Sequence, residues 1–293
     1  VFVNTNDPFD INPSTAPLAD GTRQIVVTPV TKSTGLVLSV YSVTQAEDKI
    51  CGLNGDLQCR NEAAASVSPP FKVWASSASR LMVLLPGETA VQGRCDVDGV
   101  CTPLGTGAPG KTGIPGGFTM TMPESGFLVT VNLVDDFYNL ATNRTGGNQD
   151  TNPIAAMPTV QVGMPGEPSA VKPSSAPLSV GTWTFPVTPR IALSTYTVSA
   201  ATISPSVVSL SSTVSAVFAV TPGPAHHLHF TSYPSSAAAG SAFPVSISAH
   251  DQFHNLLSTG PNKYLKTVQL SAEPLVAAQA PIFNQPGAFT DAE

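Results

Sequence analysis

The chain has 293 residues, of which 11% are charged and 42% hydrophobic, with a formal net charge of −6 at pH 7. That length suits about two average domains, and without a Lys/Arg cluster to neutralise phosphates the acidic chain is not expected to bind nucleic acid. The Val, Thr and Ser content, with 28 Pro and 23 Gly, is the reverse of a charge-rich disordered chain and suits short strands joined by tight turns.

The predicted strands begin at once with Val1-Phe2-Val3, followed by the segment PSTAPLADGT (Pro13 to Thr22), Val27-Thr28-Pro29 and a strand around Ser39. Cys51 and Cys59 bound the polar segment CGLNGDLQC, and Cys95 and Cys101 bound CDVDGVC. Neither pair has the CxxC spacing with nearby His that zinc sites use, so local disulfides are the expectation. Each would stabilise its short loop by roughly 2–3 kcal/mol and place the protein outside the cytoplasm. Asp96, Asp98 and Gly99 resemble a fragment of a calcium loop, but the bracketing cysteines leave too little chain for one. The chain starts at Val1 without a Met, so any leader is expected to have been removed or to lie upstream.

PPFKVWA (Pro69 to Ala75) reads as a closing strand, and SRLMVLLPGE (Ser79 to Glu88) as the first strand of a new unit. A Gly/Pro-rich stretch around Gly105 to Gly117 precedes FLVTVNLVDDFYN (Phe127 to Asn139). Asn143 then opens a glycosylation sequon, Asn143-Arg144-Thr145. PTVQV (Pro158 to Val162) is the middle strand. PSSAPLSVGT (Pro173 to Thr182) repeats Pro13 to Thr22 in register, so that Val187, Thr188, Pro189 and Ser199 match Val27, Thr28, Pro29 and Ser39. Period-2 alternation marks Thr182 to Phe185, placing Trp183 in the core, and Tyr196 to Ala200. VSAVFAVTP (Val214 to Pro222) closes the unit as the counterpart of Pro69 to Ala75.

The last stretch restarts the pattern. AHHLHFTSYP (Ala225 to Pro234) matches Ser79 to Glu88, FPVSISAHDQFHN (Phe243 to Asn255) matches Phe127 to Asn139, and KTVQL (Lys266 to Leu270) matches the middle strand. From Ile191 to His250 there is no Asp, Glu, Lys or Arg, but Pro205, Pro222, Pro224 and Pro234 break it, so no membrane span is expected. These matches divide the chain into the later strands of one repeat (1–78), a complete repeat (79–222) and the earlier strands of another (223–293). Half a repeat cannot bury its inner face alone. Two completions stand open: neighbouring repeats of a longer array, or strand addition between subunits.

The strand ending in Asp with a downstream Asn (Asp135 and Asn139, Asp251 and Asn255), followed by GTWTFPVTP and STYTVSA, resembles bacterial immunoglobulin-like repeats of large secreted and surface proteins, of the invasin/intimin-like kind. The resemblance covers nearly the whole chain and implies an all-β fold of tandem immunoglobulin-like β-sandwiches, one complete repeat flanked by two partial ones. It implies a stalk, spacer, adhesin or filament building block at the cell surface or outside the cell, with no catalytic residues carried across. The two Cys-bounded insertions and the Gly/Pro-rich stretch depart from it.

All the histidines fall in the last partial unit: His226, His227, His229, His250 and His254. His227 and His229 would share one strand face, a candidate for metal, while Leu228 and Phe230 point inward. Their other reading is solvent-exposed or contact-forming, and no cofactor or metal is expected. Asp135 and Asp251 are expected to bond backbone amides and hold the turns toward Asn139 and Asn255, not to act as catalytic carboxylates. With no GxSxG elbow, and no His before His226, the chain is not expected to be an enzyme. The leading expectation is a structural building block of a filament, sheath or surface layer that self-associates or packs against neighbouring repeats; the alternative is an adhesin or carbohydrate-binding stalk, whose aromatic candidates are Trp74, Trp183, Phe137 and Tyr138.

Overall fold

The computed structural model describes residues 1–10, 17–41, 66–94, 110–119, 126–142, 157–204, 210, 213–271 and 287–288. Cys51, Cys59, Asp96, Asp98, Cys95, Cys101 and Asn143 lie outside the described residues. Within them the chain is all-β, with no helix. The first stretch holds β1 (Phe2–Thr5), β2 (Ser33–Leu36), β3 (Leu38–Tyr41), β4 (Ser66–Val67) and β5 (Phe71–Val73). The middle stretch holds β6 (Arg80–Leu84), β7 (Glu88–Ala90), β8 (Lys111–Gly113), β9 (Phe118–Thr119), β10 (Phe127–Val134), β11 (Thr159–Gly163), β12 (Ala176–Pro177), β13 (Thr182–Val187), β14 (Leu193–Tyr196), β15 (Ser199–Ser204), β16 (Thr213–Val214) and β17 (Phe218–Thr221). β18 (His227–Ser232), β19 (Ser246–His250), β20 (Thr267–Val268) and β21 (Gly287–Ala288) follow.

β10 organises the middle stretch. Its run of Val and Leu pairs antiparallel with β13 on one edge (Val129 opposite Phe185, Val131 opposite Trp183) and with β6 on the other (Val131 opposite Val83, Leu133 opposite Leu81). Alternate side chains of this sheet, Leu81, Val83, Val129, Val131, Leu133, Phe185 and Val187, enter one buried cluster. The other side of that cluster comes from Val160 and Val162 of β11, Ala200 of β15, Tyr196 of β14, and Phe218 and Val220 of β17. Sheets β13-β10-β6, β12-β11-β15-β16 and β14-β17-β9 therefore share one core. Phe127 and Phe218 meet edge-on inside it, with ring centroids 5.3 Å apart. The strands of this unit are tied by core burial that no single strand could supply.

β6 is covered on its other face as well. Met82 and Leu84 pack with Val134, Ala90 and Tyr138 beneath the hairpin β7–β8. The hairpin is pinned by the ion pair of Glu88 with Lys111 (2.8 Å), and Lys111 Nζ also donates to the carbonyl of Val83. Gly113, at φ +94°, passes so close to the Gly87 carbonyl that a Cβ would lie 2.1 Å from it. Part of the Gly/Pro-rich stretch that departs from the repeat pattern is thus a lid for this outer face.

Pairings recur between stretches. β2 pairs with β5 (Leu36 opposite Phe71) as β14 pairs with β17 (Tyr196 opposite Phe218), and β1 pairs with β3 as β11 pairs with β15. The exceptions are instructive. Thr22 to Val27, the counterpart of β13, forms no strand, and Val26 is 79% exposed, because no β10-type strand lies beside it. Among the described residues β19 has only β18 as a partner. Ladder bonds set the register there: His227 faces His250 as Arg80 faces Val134, one residue away from the match read from the sequence strings. Leu228 and Phe230 thereby occupy the places of Leu81 and Val83, but with no opposing sheet among the described residues they are 45% and 49% exposed, not enclosed.

Leu81→Ala is expected to cost about 2–5 kcal/mol in urea unfolding, as buried large-to-small changes do. Leu228→Ala at the matching position is expected to cost less than about 1 kcal/mol in dilute solution; an equal cost would mean that its face is covered.

Candidate functional site: the joints between stretches and the histidine face

Each joint starts from a buried acid. Asp7 follows β1, and its carboxylate accepts the backbone N–H groups of Val30 (2.8 Å) and Thr31 (2.7 Å). Glu167 follows β11 and accepts those of Arg190 (2.6 Å) and Ile191 (3.0 Å) through one oxygen. Asp7 and Glu167 are 5% and 0% exposed. Desolvating a carboxylate is costly unless N–H donors meet it; Asp7 takes three backbone donors, from Val30, Thr31 and Phe9, while Glu167 takes two on Oε1 and its buried Oε2 has no hydrogen bond. The result is a fixed loop, Val30 to Lys32 or Arg190 to Ala192, with one carbonyl and one N–H aimed away from its own stretch.

The next stretch grips those two groups with an asparagine. Asn139 Nδ2 donates to the Val30 carbonyl (2.8 Å), and its Oδ1 accepts from the N–H of Lys32 (2.7 Å). Asn255 Nδ2 donates to the Arg190 carbonyl (2.8 Å), and its Oδ1 accepts from the N–H of Ala192 (2.8 Å). A carboxamide carries one acceptor beside two donors, so it matches a C=O and N–H pair as another peptide would. Asp135 aims the first asparagine: it accepts from the N–H groups of Phe137, Asn139 and Ser76 and from Asn139 Nδ2. Asp251 does the same with Phe253, Asn255, Gly223 and Asn255 Nδ2. The turns also force Tyr138 and His254 to φ +59° and +64°, a left-handed conformation held by these surrounding bonds.

Around the first joint, Lys32 Nζ donates to the Leu140 carbonyl (3.1 Å), and burial, opposed by the charge of Asp135, pushes the Lys32 pKa down. Around the second, the Arg190 guanidinium lies over the Phe253 ring, 5.7 Å from its centroid. Burial, followed by the neighbouring Glu167 charge, pushes the Tyr196 hydroxyl up to about 12. The sequence reading found the four turn residues but missed the two acids and the contact between stretches. One signal was present: Asp7 and Glu167 each stand six residues before the repeated Pro-Ser motif at Pro13 and Pro173.

The second cluster is the outward face of β18–β19. His227, His229, His250 and His254 occupy the positions that Arg80, Met82, Val134 and Tyr138 hold in the middle stretch. There the positions lie beneath the β7–β8 hairpin or, for Arg80, against the Tyr138 ring; here the connection 233–245 forms no strand. His227 Nε2 and His254 Nδ1 are 3.1 Å apart, and His226 Nδ1 and His227 Nδ1 3.2 Å apart. The His227 and His250 rings stack at 5.6 Å. Partial desolvation, followed by His254, His226, His250 and His229, pushes the His227 pKa down. The pair His227 and His229, named from sequence, is thus part of a larger group.

The aromatic candidates are dispersed. Trp183 does lie on the inward face of β13, but β13 is the edge of its sheet and Trp183 is 44% exposed, whereas Phe185 is 1% exposed. Trp74 is half-buried with Lys72 Nζ over its ring, and Tyr138 lies under the Arg80 guanidinium. Leu85, Pro86, Phe118, Phe127 and Phe218 line an apolar pocket of about 140 Å³ that no titratable side chain enters. No family model matches the chain, and no curated protein or solved structure matches it either.

Asn139→Ala and Asn255→Ala each orphan a carbonyl and an N–H and are expected to cost about 2–4 kcal/mol in urea unfolding. Combining Asn139→Ala with Asp135→Ala should cost less than the sum, because the two act as one unit. The depressed His227 pKa means that the unfolded chain takes up its proton first as pH falls. Stability is therefore full above the ordinary imidazole value near 6.5 and declines as pH falls through it toward the lower folded value. Unfolding midpoints measured from pH 8 to 5 should fall less steeply in His227→Gln than in the parent.

Proposed function

We propose that this protein is a non-enzymatic extracellular structural protein: a building block of a filament, sheath or surface layer made of immunoglobulin-like β-sandwich repeats. The observation that carries the reading is the recurrence of one joint. Asp7, Val30, Lys32, Asp135 and Asn139 are arranged like Glu167, Arg190, Ala192, Asp251 and Asn255, bond for bond at the loop and the asparagine. A joint of buried hydrogen bonds fixes the angle between neighbouring units, which a load-bearing or space-filling array needs and a flexible linker does not provide.

Strand completion supports the same reading. Among the described residues Thr22 to Val27 lacks the strand that β13 has, and β19 lacks the edge partner that β10 has. Carrying the β10–β13 register over pairs Phe243 with Val27, Val245 with Ile25, Ser246 with Gln24 and Ser248 with Thr22. Strand addition of this kind satisfies the backbone edge, and the sheets β1-β3-β4 and β2-β5 that accompany the added segment would stand opposite Leu228 and Phe230 as the sheets of β11-β15 and β14-β17 stand opposite Leu81 and Val83. The alternative, an adhesin or carbohydrate-binding stalk, draws on exposed aromatics such as Tyr233 (69%) beside Phe230.

The test mixes Gln24→Cys and Ser246→Cys chains under mild oxidation and maps cross-linked peptides by mass spectrometry. Thr130 and Thr184, their counterparts, have hydroxyls 3.2 Å apart, so the pair is expected to close between two chains, while Arg23→Cys with Ser246→Cys stays open. A chain carrying both cysteines that closes only within itself would sink subunit exchange. A monomer at high concentration with no cross-link would sink the assembly reading altogether, and saturable glycan binding that quenches tryptophan emission would favour the stalk.

A further inference from the structure

The histidines carry a separate inference, independent of how the chain assembles. The sequence contains five histidines, and all of them meet on one face. A solvated strand face needs no imidazole, and the corresponding face of the middle stretch uses Arg, Met, Val and Tyr. Among the described residues nothing covers these rings as the β7–β8 hairpin covers their counterparts; His226, His229 and His254 are exposed, and His227 and His250 half-exposed.

We propose that His227 and His254, completed by His250, bind one divalent transition-metal ion of the zinc or copper class. Two nitrogens that share a tetrahedral ion at bonds of about 2.0–2.1 Å lie roughly 3.3 Å apart. His227 Nε2 and His254 Nδ1 are already 3.1 Å apart, close to that spacing. The backbone fixes this bite from two directions. His227 is held in the β18 ladder, and His254 in the turn that Asp251 anchors.

His250 supplies the third ligand. It lies opposite His227 in the ladder, and its Nδ1 is 2.9 Å from the His254 carbonyl. That carbonyl can only accept, so Nδ1 carries the proton and Nε2 keeps its lone pair. The Nε2 lone pair now accepts from the Ser248 hydroxyl at 2.7 Å; a turn of the ring to the ion exchanges this bond and the one to the His254 carbonyl for a metal bond. Among the described residues no group of three or more ligands is gathered in advance; the ion gathers the third. The donor set selects against calcium and magnesium, which need oxygen ligands. Asp251, the nearest acid in the turn, spends both carboxylate oxygens on N–H donors of the joint.

The experiment titrates the full chain, alkylated so that no free thiol competes, with Cu²⁺ and reads electron paramagnetic resonance together with a chelator competition. One ion per chain with coupling to imidazole nitrogen is expected. His227→Gln and His254→Gln should each weaken binding about tenfold or more, His250→Gln should remove one coupled nitrogen, and His229→Gln should leave both readouts unchanged. These side chains are on the surface, so far-ultraviolet circular dichroism should stay the same. Binding that survives both His227→Gln and His254→Gln, or no saturable binding up to about 1 mM, where affinity is only about −4 kcal/mol, overturns the proposal.

Discussion

An asparagine carboxamide laid against two successive peptides of the preceding stretch is the contact on which the relative placement of the units depends. At both places it bonds a carbonyl and the N–H two residues on, and both groups are turned outward because a buried acid has taken the intervening N–H donors. Remove the acid and the loop loses its shape. Remove the aspartate of the turn and the asparagine loses its aim. Buried polar groups of this kind contribute modestly when satisfied and cost heavily when one partner is lost, so they specify geometry more than they add stability. The apolar core, by contrast, supplies most of the favourable energy and tolerates small shifts.

Strand pairing sets a second constraint. The corresponding repeat position is a six-residue strand at Thr182–Val187 (TWTFPV) and no strand at Thr22 to Val27 (TRQIVV). The difference is the presence of β10, whose backbone groups give β13 its ladder and whose Val129 and Val131 give Phe185 and its neighbours an enclosed place. A strand edge without a partner leaves a row of donors and acceptors open to another chain, and in this molecule one such edge, β19, lies next to exposed apolar side chains.

The outer faces show how one backbone arrangement accepts two chemistries. Over β6–β10 a Glu–Lys-pinned hairpin makes a small second apolar cluster. Over β18–β19 the short connection leaves the face open, and imidazoles stack there instead of aliphatic side chains.

Much of this was legible in the residues. Period-2 alternation, the Pro/Gly punctuation and the self-similar segments gave an all-β chain without helices in the described residues, the pairing of Val214 to Pro222 with Pro69 to Ala75 as equivalents, and the recurrence of Asp135-Asn139 as Asp251-Asn255. Local patterns encode which residues alternate and where turns form, because both are decided within a few residues. The sequence did not reveal that Asn139 and Asn255 reach back to Val30 and Arg190, that Asp7 and Glu167 shape those loops, or that β18 pairs one residue out of step with the string match. Nor did alternation tell that Trp183 lies at the rim or that Leu228 lacks a cover. Those outcomes depend on contacts between residues tens of positions apart, and on which strand is present to pair with which; only the tertiary structure decides them, since a side chain is buried or a backbone group satisfied by what another part of the chain brings to it.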